Sequence, residues 1–572
     1  MSRTRRLLVA LILTTIVATW SSPTLFAGGC VATVHPLATD AGLAALARGG
    51  NAVDAAVAAA LTLGVVDGHN SGIGGGCFVL LRLGDGRLVC IDGREMAPGK
   101  ATRDMYLRQG KPQPELSAVG PLAAGVPGAL AAQAEAVRDY GRLKLADLLR
   151  PAADLAERGF PVGRSLAGAI RHSAAQLARF SGPRGPLLHA DGSPYKEGEV
   201  LKQPDLARTY RAVAGQGTDW FYRGPLAEKV GRWMGENGGI LTAGDFARYS
   251  TRRREPLVTT YRGWTIVGFP PPSSGGLHVA QILNTVEHFP MGDLWRSDRA
   301  KFYHVVAEAM KLAFADRAYW LGDPDFARVP RGLVDKSYAA GLARRIRMDR
   351  ASPVASHGQP PRAEEDCFGK HTTHVTAADD QGNWVAMTCT VNLTFGSRVI
   401  VPETGVVLNN QMDDFSIAPG VPNAMGLLGA EANSVAPGKR PLSSMSPTIV
   451  LENGRPIFTL GAAGGPTIIS QVVMGLIYRL DAGLDLPAAI GGPRIHHQWA
   501  PDRLRVERRL EPAISAALEK LGHQISASSG IGVCQAIGLA SDGHTWVGVH
   551  DPRVVGKAAS LAPENAGRKR PR

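Results

Sequence analysis

Only 6% of the 572 residues are aromatic, and only six are cysteine. The cysteines stand at 30, 77, 90, 367, 389 and 534, with no CxxC pair and no tight spacing. That excludes a disulfide framework. A chain this long needs no such staples, and the thiols are expected mostly buried and free. The usual hydrolase signatures are missing: no GxSxG elbow, no HExxH, and no SxxK at Ser443 or Ser444. Neither GxGxxG nor a Walker A lysine is present. The glycine-rich string Ser71 to Gly76 follows a helical stretch and precedes a strand-like one, the reverse of a dinucleotide loop. It reads instead as a tight turn or close backbone packing. No basic stripe interleaves with aromatics, which argues against a nucleic-acid binder. Outside the N-terminus no run of 18 apolar residues occurs, so no membrane span is expected in the mature chain.

What is present is ordinary globular material, 44% hydrophobic and 20% charged, which excludes disorder for the bulk of the chain. At roughly 100–200 residues per domain the length allows about three to five domains or one very large one. The net charge is +13, from 63 Lys+Arg against 50 Asp+Glu. Part of it lies at the ends, in Arg3, Arg5 and Arg6 and in Arg568, Lys569, Arg570 and Arg572, and the rest reads as a solvated basic surface.

The N-terminus has the order of a signal peptide: basic residues 1–6, an apolar run from Leu7 to Ala18, a Ser21-Ser22-Pro23 break and small residues Ala27-Gly28-Gly29. The run is short for a membrane anchor, the alternative reading. Thr4-Arg5-Arg6-Leu7-Leu8-Val9 fits a twin-arginine signal loosely. The mature protein is expected to be exported, periplasmic or secreted.

Helices are predicted over Leu37 to Arg48 and Ala52 to Val66, the second capped by Asn51 with Asp54 three residues on and buried nearly all round. Residues 120–350 read as mostly helical, and 351–371 as an exposed linker. Strand-like runs follow at 372–378, 384–391, 399–401, 405–409, 448–459, 503–507 and 532–549, with an apolar helix from Thr467 to Leu480.

Candidate chemistry gathers in this second part. Asp379 to Asn383 is turn chemistry, and a hairpin centred on Gln381 sets Thr372 opposite Thr390. Thr388, Thr390 and Asn392 share one face; Val385, Met387, Cys389 and Val391 share the other. Taken alone, a solvated sheet face is the stronger reading of those threonines. Asn409 to Phe415 packs amides and carboxylates together, Ser443-Ser444 places adjacent hydroxyls before a strand, and Gly464-Gly465 offers N–H groups before a helix. His371 and His374 point to opposite faces of a strand, and the adjacent His496-His497 rarely converge on one ion, so no zinc site is expected.

Taken together, these segments resemble the gamma-glutamyltransferase (gamma-glutamyltranspeptidase) family, from Val31 to about Pro552. The resemblance is carried by Gly49 to Val57, Ser71 to Phe78, Asp92 to Pro98, Pro271 to Gly276, Thr372-Thr373-His374, Asn409 to Phe415, Arg440 to Pro447 and Pro493 to Gln498. It implies an α/β (α+β) fold, the four-layer αββα sandwich of N-terminal-nucleophile hydrolases, formed jointly by two subunits cut from one precursor. The cut would fall between His371 and Thr372, after a signal peptide at 1–27, giving a large subunit 28–371 and a small subunit 372–572. Thr372 would be the nucleophile, oriented by Thr390, with Gly464 and Gly465 as oxyanion hole. Arg94, Ser443 and Ser444 would hold a substrate α-carboxylate; Asn392, Gln411 and Asp414 its α-ammonium. The implied donor is glutathione or another γ-glutamyl compound, the acceptor water, an amino acid or a peptide, and no cofactor or metal is implied. Residues 416–440 resemble the family's lid loop, with Ala424-Met425-Gly426 where several members carry an aromatic gate. The competing readings are a cephalosporin (glutaryl) acylase of the same fold, whose acyl group lacks an ammonium, and a non-catalytic exported glutamyl-binding protein.

Overall fold

The computed structural model describes residues 28–182, 185–361 and 374–561. In the strand Trp384–Thr390 every residue is buried, so both of its faces are covered. One face, with Val385, Met387 and Cys389, packs with Val79 and Leu81 beneath the helix Ala52–Val66. The other, with Trp384 and Ala386, meets Phe78 and Leu80 of its own sheet and Ile449 and Ile537 of a second sheet. Thr388 lies on this inner side and is fully buried. The polar face is therefore a layer between two sheets and not a solvated surface, which corrects the bland reading of the threonines.

The first sheet has seven strands, in the order Lys557–Ser560, Gly29–Thr33, Val375–Asp379, Trp384–Thr390, Gly76–Arg82, Leu88–Gly93 and Arg252–Arg254. The second has six: Trp546–Val549, Val533–Leu539, Arg455–Ala463, Thr448–Glu452, Trp264–Gly268 and Leu257–Tyr261. A third apolar core joins Val450 and Leu460 of the second sheet to the helices Ser274–Val286, Arg299–Trp320 and Thr467–Leu480. Three cores between four layers make a helix–sheet–sheet–helix sandwich. Among the described residues no helix is long and apolar enough to cross a membrane.

The hairpin register is the expected one: Val375 faces Met387 and Ala378 faces Trp384, centred on Gln381. Thr372 and His371 lie outside the described residues, as does the segment 1–27. The helix Ala52–Val66 begins as predicted, with the Asn51 side chain accepting from the N–H groups of Val53 and Asp54 and the Asp54 carboxylate accepting from Asn51 N–H. All fifteen of its residues are buried. Five cysteines, 30, 77, 90, 389 and 534, are buried free thiols, and burial pushes Cys30 and Cys534 up to about 12; Cys367 is outside the described residues.

Several expectations need correction. The run 448–459 is two strands joined at Asn453-Gly454, both at positive φ (50° and 77°), a tight hairpin turn. The runs 399–401 and 405–409 carry only the single bridge Ile400–Val407. Three strands, 252–254, 257–261 and 264–268, interrupt the stretch expected to be mostly helical. The described part of the linker, 351–361, is partly buried and pinned: Ser352 N–H donates to Glu308 (2.9 Å) and Gly358 N–H to Asp316 (2.6 Å).

Because Asn51 both caps the central helix and donates to Tyr140 O (2.6 Å), Asn51→Ala is expected to cost about 1–2 kcal/mol. Denaturant unfolding measures this; an unchanged midpoint would show that the cap contributes nothing.

Candidate active site

Arg94 follows the strand Leu88–Gly93 and is wholly buried. Its Nε donates to Pro441 O (3.2 Å) and Nη2 to Leu442 O (3.4 Å), and Nη2 is ion-paired with Asp414. Nη1 lies 3.4 Å from Glu95. Asp414 ends the single-turn helix Gln411–Asp414, and Gln411 Nε2 donates to it (3.4 Å). Burial raises the Asp414 pKa, opposed by the Arg94 guanidinium. Burial pushes Glu95 up to about 8, so this carboxyl is mostly protonated at neutral pH. Gln411 Oε1 is buried and accepts from nothing among the described residues. A buried carboxylate and an unfilled amide oxygen on one turn form an acceptor set suited to a cation.

Thr390 and Asn392 are linked: Asn392 N–H donates to Thr390 Oγ1 (2.8 Å), and Asn392 Nδ2 donates to Asn410 O (3.1 Å). Asn392 sits at φ 76°, a left-handed conformation that asparagine tolerates. With its oxygen accepting from the backbone, Thr390 keeps its own O–H to donate elsewhere.

Gly464 and Gly465, at φ 130° and 58°, connect the strand Arg455–Ala463 to the helix Thr467–Leu480. Neither N–H has an acceptor among the described residues. Met425 of the loop 416–440 lies against Gly465, where a Cβ would come 2.3 Å from the Met425 sulfur, while Gly464 is exposed. The loop is held from both ends of that contact. Ala424 N–H donates to Asp413 (3.1 Å), and Gln498 Nε2 donates to Gly426 O (3.0 Å).

The Ser443-Ser444 hydroxyls are positioned by two distant strings that dock together. Ser274 N–H donates to Ser443 O (3.1 Å), and Ser273 Oγ donates to Met445 O (2.5 Å). A Cβ on Gly275 would lie 1.8 Å from Met445 O, so only glycine admits this approach. Contacts thus join Arg94, Gln411 and Asp414 directly, and Arg94 holds the Pro441 and Leu442 carbonyls just before Ser443 and Ser444, with Thr390 and Asn392 linked through Asn410. The glycine pair joins through the Met425 loop.

Over residues 38–561 the sequence matches the gamma-glutamyltranspeptidase family. The chain belongs to that family. It is 42% identical over 529 residues, 92% of this chain and 90% of the other, to a glutathione hydrolase proenzyme of Escherichia coli (strain K12). It is 39% identical over 524 residues, 90% of each chain, to an acylase ACY 1 proenzyme of Pseudomonas sp. (strain SE83). Among solved structures it is similar to the cephalosporin acylase of Bacillus halodurans, with a TM-score of 0.84, 30% identity, and 94% and 96% of the two chains covered.

Sequence reasoning missed three groups. Arg440 is buried, pairs with Asp92 (2.8 Å) and receives an anchor from Asp323 to its own N–H (2.8 Å), which fixes the start of the Ser443-Ser444 segment. Glu95 backs Arg94. Arg317 reaches Ser444 from a helix that is buried almost all round, where periodicity carries no signal. Of the two histidine pairs, His371 lies outside the described residues. His496 contacts Ser470 (2.7 Å), and His497 contacts Asp502 (2.9 Å). Both ring nitrogens of His374 are buried without partners among the described residues, and burial lowers its pKa to about 3. Among the described residues no three His, Cys, Asp or Glu side chains cluster as a metal site.

Asp413 supports the loop, accepting from Ser117 Oγ (2.8 Å) and Ala424 N–H, and burial pushes it up to about 6. A folded pKa above the unfolded value means that ionising Asp413 costs stability as pH rises from about 4 to 6. Ser117→Ala removes one of two donors to the carboxylate. It should cost about 1.5–3 kcal/mol at pH 8 and less at pH 5, where the acid is protonated. Unfolding at both pH values checks this, and a loss independent of pH would sink it.

Proposed function

We propose that this chain is an autoprocessing gamma-glutamyltransferase with glutathione hydrolase activity, exported by residues 1–27 to the periplasm or outside the cell. In the precursor, Thr372 Oγ1 attacks the His371 carbonyl, and water opens the resulting ester. This leaves a large subunit 28–371 and a small subunit 372–572. The freed α-amine of Thr372, with a pKa near 7.7–8.0, takes the hydroxyl proton at neutral pH. The strand order supports a lasting association of the halves. Gly29–Thr33 lies between Lys557–Ser560 and Val375–Asp379, and Trp384–Thr390 lies between Val375–Asp379 and Gly76–Arg82. Strands from either side of the cut interleave, so separation would break the ladders of the sheet.

In the reaction, Thr372 attacks the γ-carbonyl of glutathione or another γ-glutamyl compound. The N–H groups of Gly464 and Gly465 receive the developing oxyanion, and Thr390 donates to Thr372. Water resolves the γ-glutamyl ester to glutamate; an amino acid or peptide amine resolves it by transfer. No cofactor takes part in this sequence.

The observation that carries the reading is the buried Arg94–Asp414 pair. The two opposite charges in contact neutralise each other. A γ-glutamyl group brings both an α-carboxylate and an α-ammonium. The carboxylate takes Arg94 with Ser443 and Ser444, and the ammonium takes Asp414, Gln411 and Asn392. One ion pair becomes two, and no buried charge is stranded. A glutaryl group would take Arg94 and leave Asp414 unpaired, which costs several kcal/mol in such a site. Similarity to acylases supports glutaryl compounds as the second reading, and the acidic turn favours the first. A non-catalytic glutamyl-binding protein would need neither Thr390 nor a glycine pair with vacant donors.

Two experiments test this. Wild type on a denaturing gel should give two bands, the smaller beginning at Thr372, while Thr372→Ala stays whole. A folded wild type that remains one chain would overturn the assignment. Asp414→Ala should lower kcat/KM for γ-glutamyl-p-nitroanilide by about 10²–10³-fold, from the loss of a buried charge partner. Turnover of glutaryl-p-nitroanilide should fall far less; equal losses on both donors would remove Asp414 from ammonium recognition.

A further inference from the structure

Among the described residues four arginines are buried: Arg94, Arg317, Arg440 and Arg494. Three have carboxylate partners, namely Asp414, Asp92 and Asp551. Arg317, 4% exposed near the end of the helix Arg299–Trp320, has none within ion-pair distance among the described residues. Its neighbours are two serines and a carbonyl. Nε donates to Ser274 Oγ (3.0 Å), and Nη2 donates to Ser444 Oγ (3.3 Å) and toward Ser443 O (3.5 Å). Ser274 Oγ passes the contact on by donating to Ser443 O. Burial lowers the Arg317 pKa to about 10, with Asp414 opposing the shift, so the group is charged at neutral pH.

This arrangement does two things to the carboxylate end of the pocket. A hydroxyl oxygen that accepts an N–H keeps its own proton for another acceptor. Ser444 Oγ accepts from Arg317, and no described residue takes its proton. A buried guanidinium lacking a carboxylate is also costly, and its field favours an anion brought close by. The Arg94–Asp414 pair is neutral, and Glu95 beside it, pushed up to about 8 by burial, is mostly protonated, so Arg317 leaves this wall with a positive surplus.

We propose that Arg317 is a positioning residue for the α-carboxylate of the donor: it holds the Ser443-Ser444 turn, aims the Ser444 hydroxyl into the pocket, and supplies the surplus charge that favours a carboxylate there. The proposal rests on the γ-glutamyl reading above. It makes the carboxylate end a relay of two arginines, Arg94 in contact and Arg317 behind the serines.

The test compares two donors differing only in that carboxylate: γ-glutamyl-p-nitroanilide and 4-aminobutyryl-p-nitroanilide. Arg317→Met is expected to raise KM for the first by about 30-fold or more, with kcat changing less than about threefold, the pattern of lost binding in ground and transition states. The same variant should change kcat/KM for the second donor less than about threefold. Arg317→Lys keeps the charge without the planar fork and should recover part of the loss. Ser274→Ala removes the Nε acceptor and the Oγ donation to Ser443 O, and keeps the buried charge. It should raise KM for the γ-glutamyl donor alone, and it carries the test if Arg317→Met is recovered unfolded. Equal losses on both donors, or wild-type KM in Arg317→Met and Ser274→Ala, overturn the positioning role. A folded wild type that turns over neither donor overturns the γ-glutamyl reading itself, a result visible before any variant is made.

Discussion

Removing the Arg94 guanidinium from water costs several kcal/mol, and the pocket exists in its observed form because that cost is met from four sides. Two backbone carbonyls, Pro441 O and Leu442 O, accept from it; Asp414 pairs with it; Glu95 lies behind it, mostly protonated. Each of these groups must be delivered by a different part of the chain. Pro441 and Leu442 come from the segment that Arg440 anchors on Asp92 and Asp323. Asp414 comes from a turn that Asn409 fixes by donating to Gly74 O and Gly125 O (2.9 Å each). The strings that stood out in the sequence are thus parts of one electrostatic enclosure. The Pro271 to Gly276 string is their buttress, since Ser273, Ser274 and Gly275 all close on Ser443 and Met445.

The sandwich explains why such a site sits where it does. Two sheets packed face to face leave their interior dry, and strand ends are where backbone and side chains can turn polar without crossing that layer. Gly93 ends one strand just before Arg94, Thr390 ends another just before Asn392, and Ala463 ends a third just before the glycine pair. In a dry layer of this kind an aligned N–H or hydroxyl acts more strongly than in water. The loop 416–440 then reaches Gly465, with the flexible thioether of Met425 as its contact. A thioether fills space and donates no hydrogen bond, so this contact is one of packing alone.

Much of this was legible without coordinates. Asn51 and Asp54 announced a capped, buried helix, because capping chemistry is local and survives any tertiary context. Hairpin register followed from turn residues at Asp379 to Asn383, and the observed pairs agree with it. Other elements resisted. The strands at 252–268 were hidden in a helical neighbourhood: Arg252–Arg254 is all arginine, and its strand geometry comes from pairing with Cys90 to Asp92. The runs near 400 and 407 had strand composition yet formed a single bridge, because their partners in space are turns and loops. The threonine face of Trp384–Thr390 looked like a surface by composition, and the second sheet alone shows that it is interior.

The amino-acid sequence by itself determined the local grammar, namely the caps, turns, periodicities and the rare strings that mark the gamma-glutamyltranspeptidase family. Those features depend on neighbours within a few residues, so they are written in order along the chain. Only the tertiary structure decided which charges meet. Arg94 and Asp414 are 320 positions apart, and Arg317 and Ser444 are 127 apart. The helix carrying Arg317 is buried on nearly every side, so no pattern within it sets one arginine apart. Charge interactions depend on distance and burial in space, and both are properties of the packed layers, not of spacing along the chain.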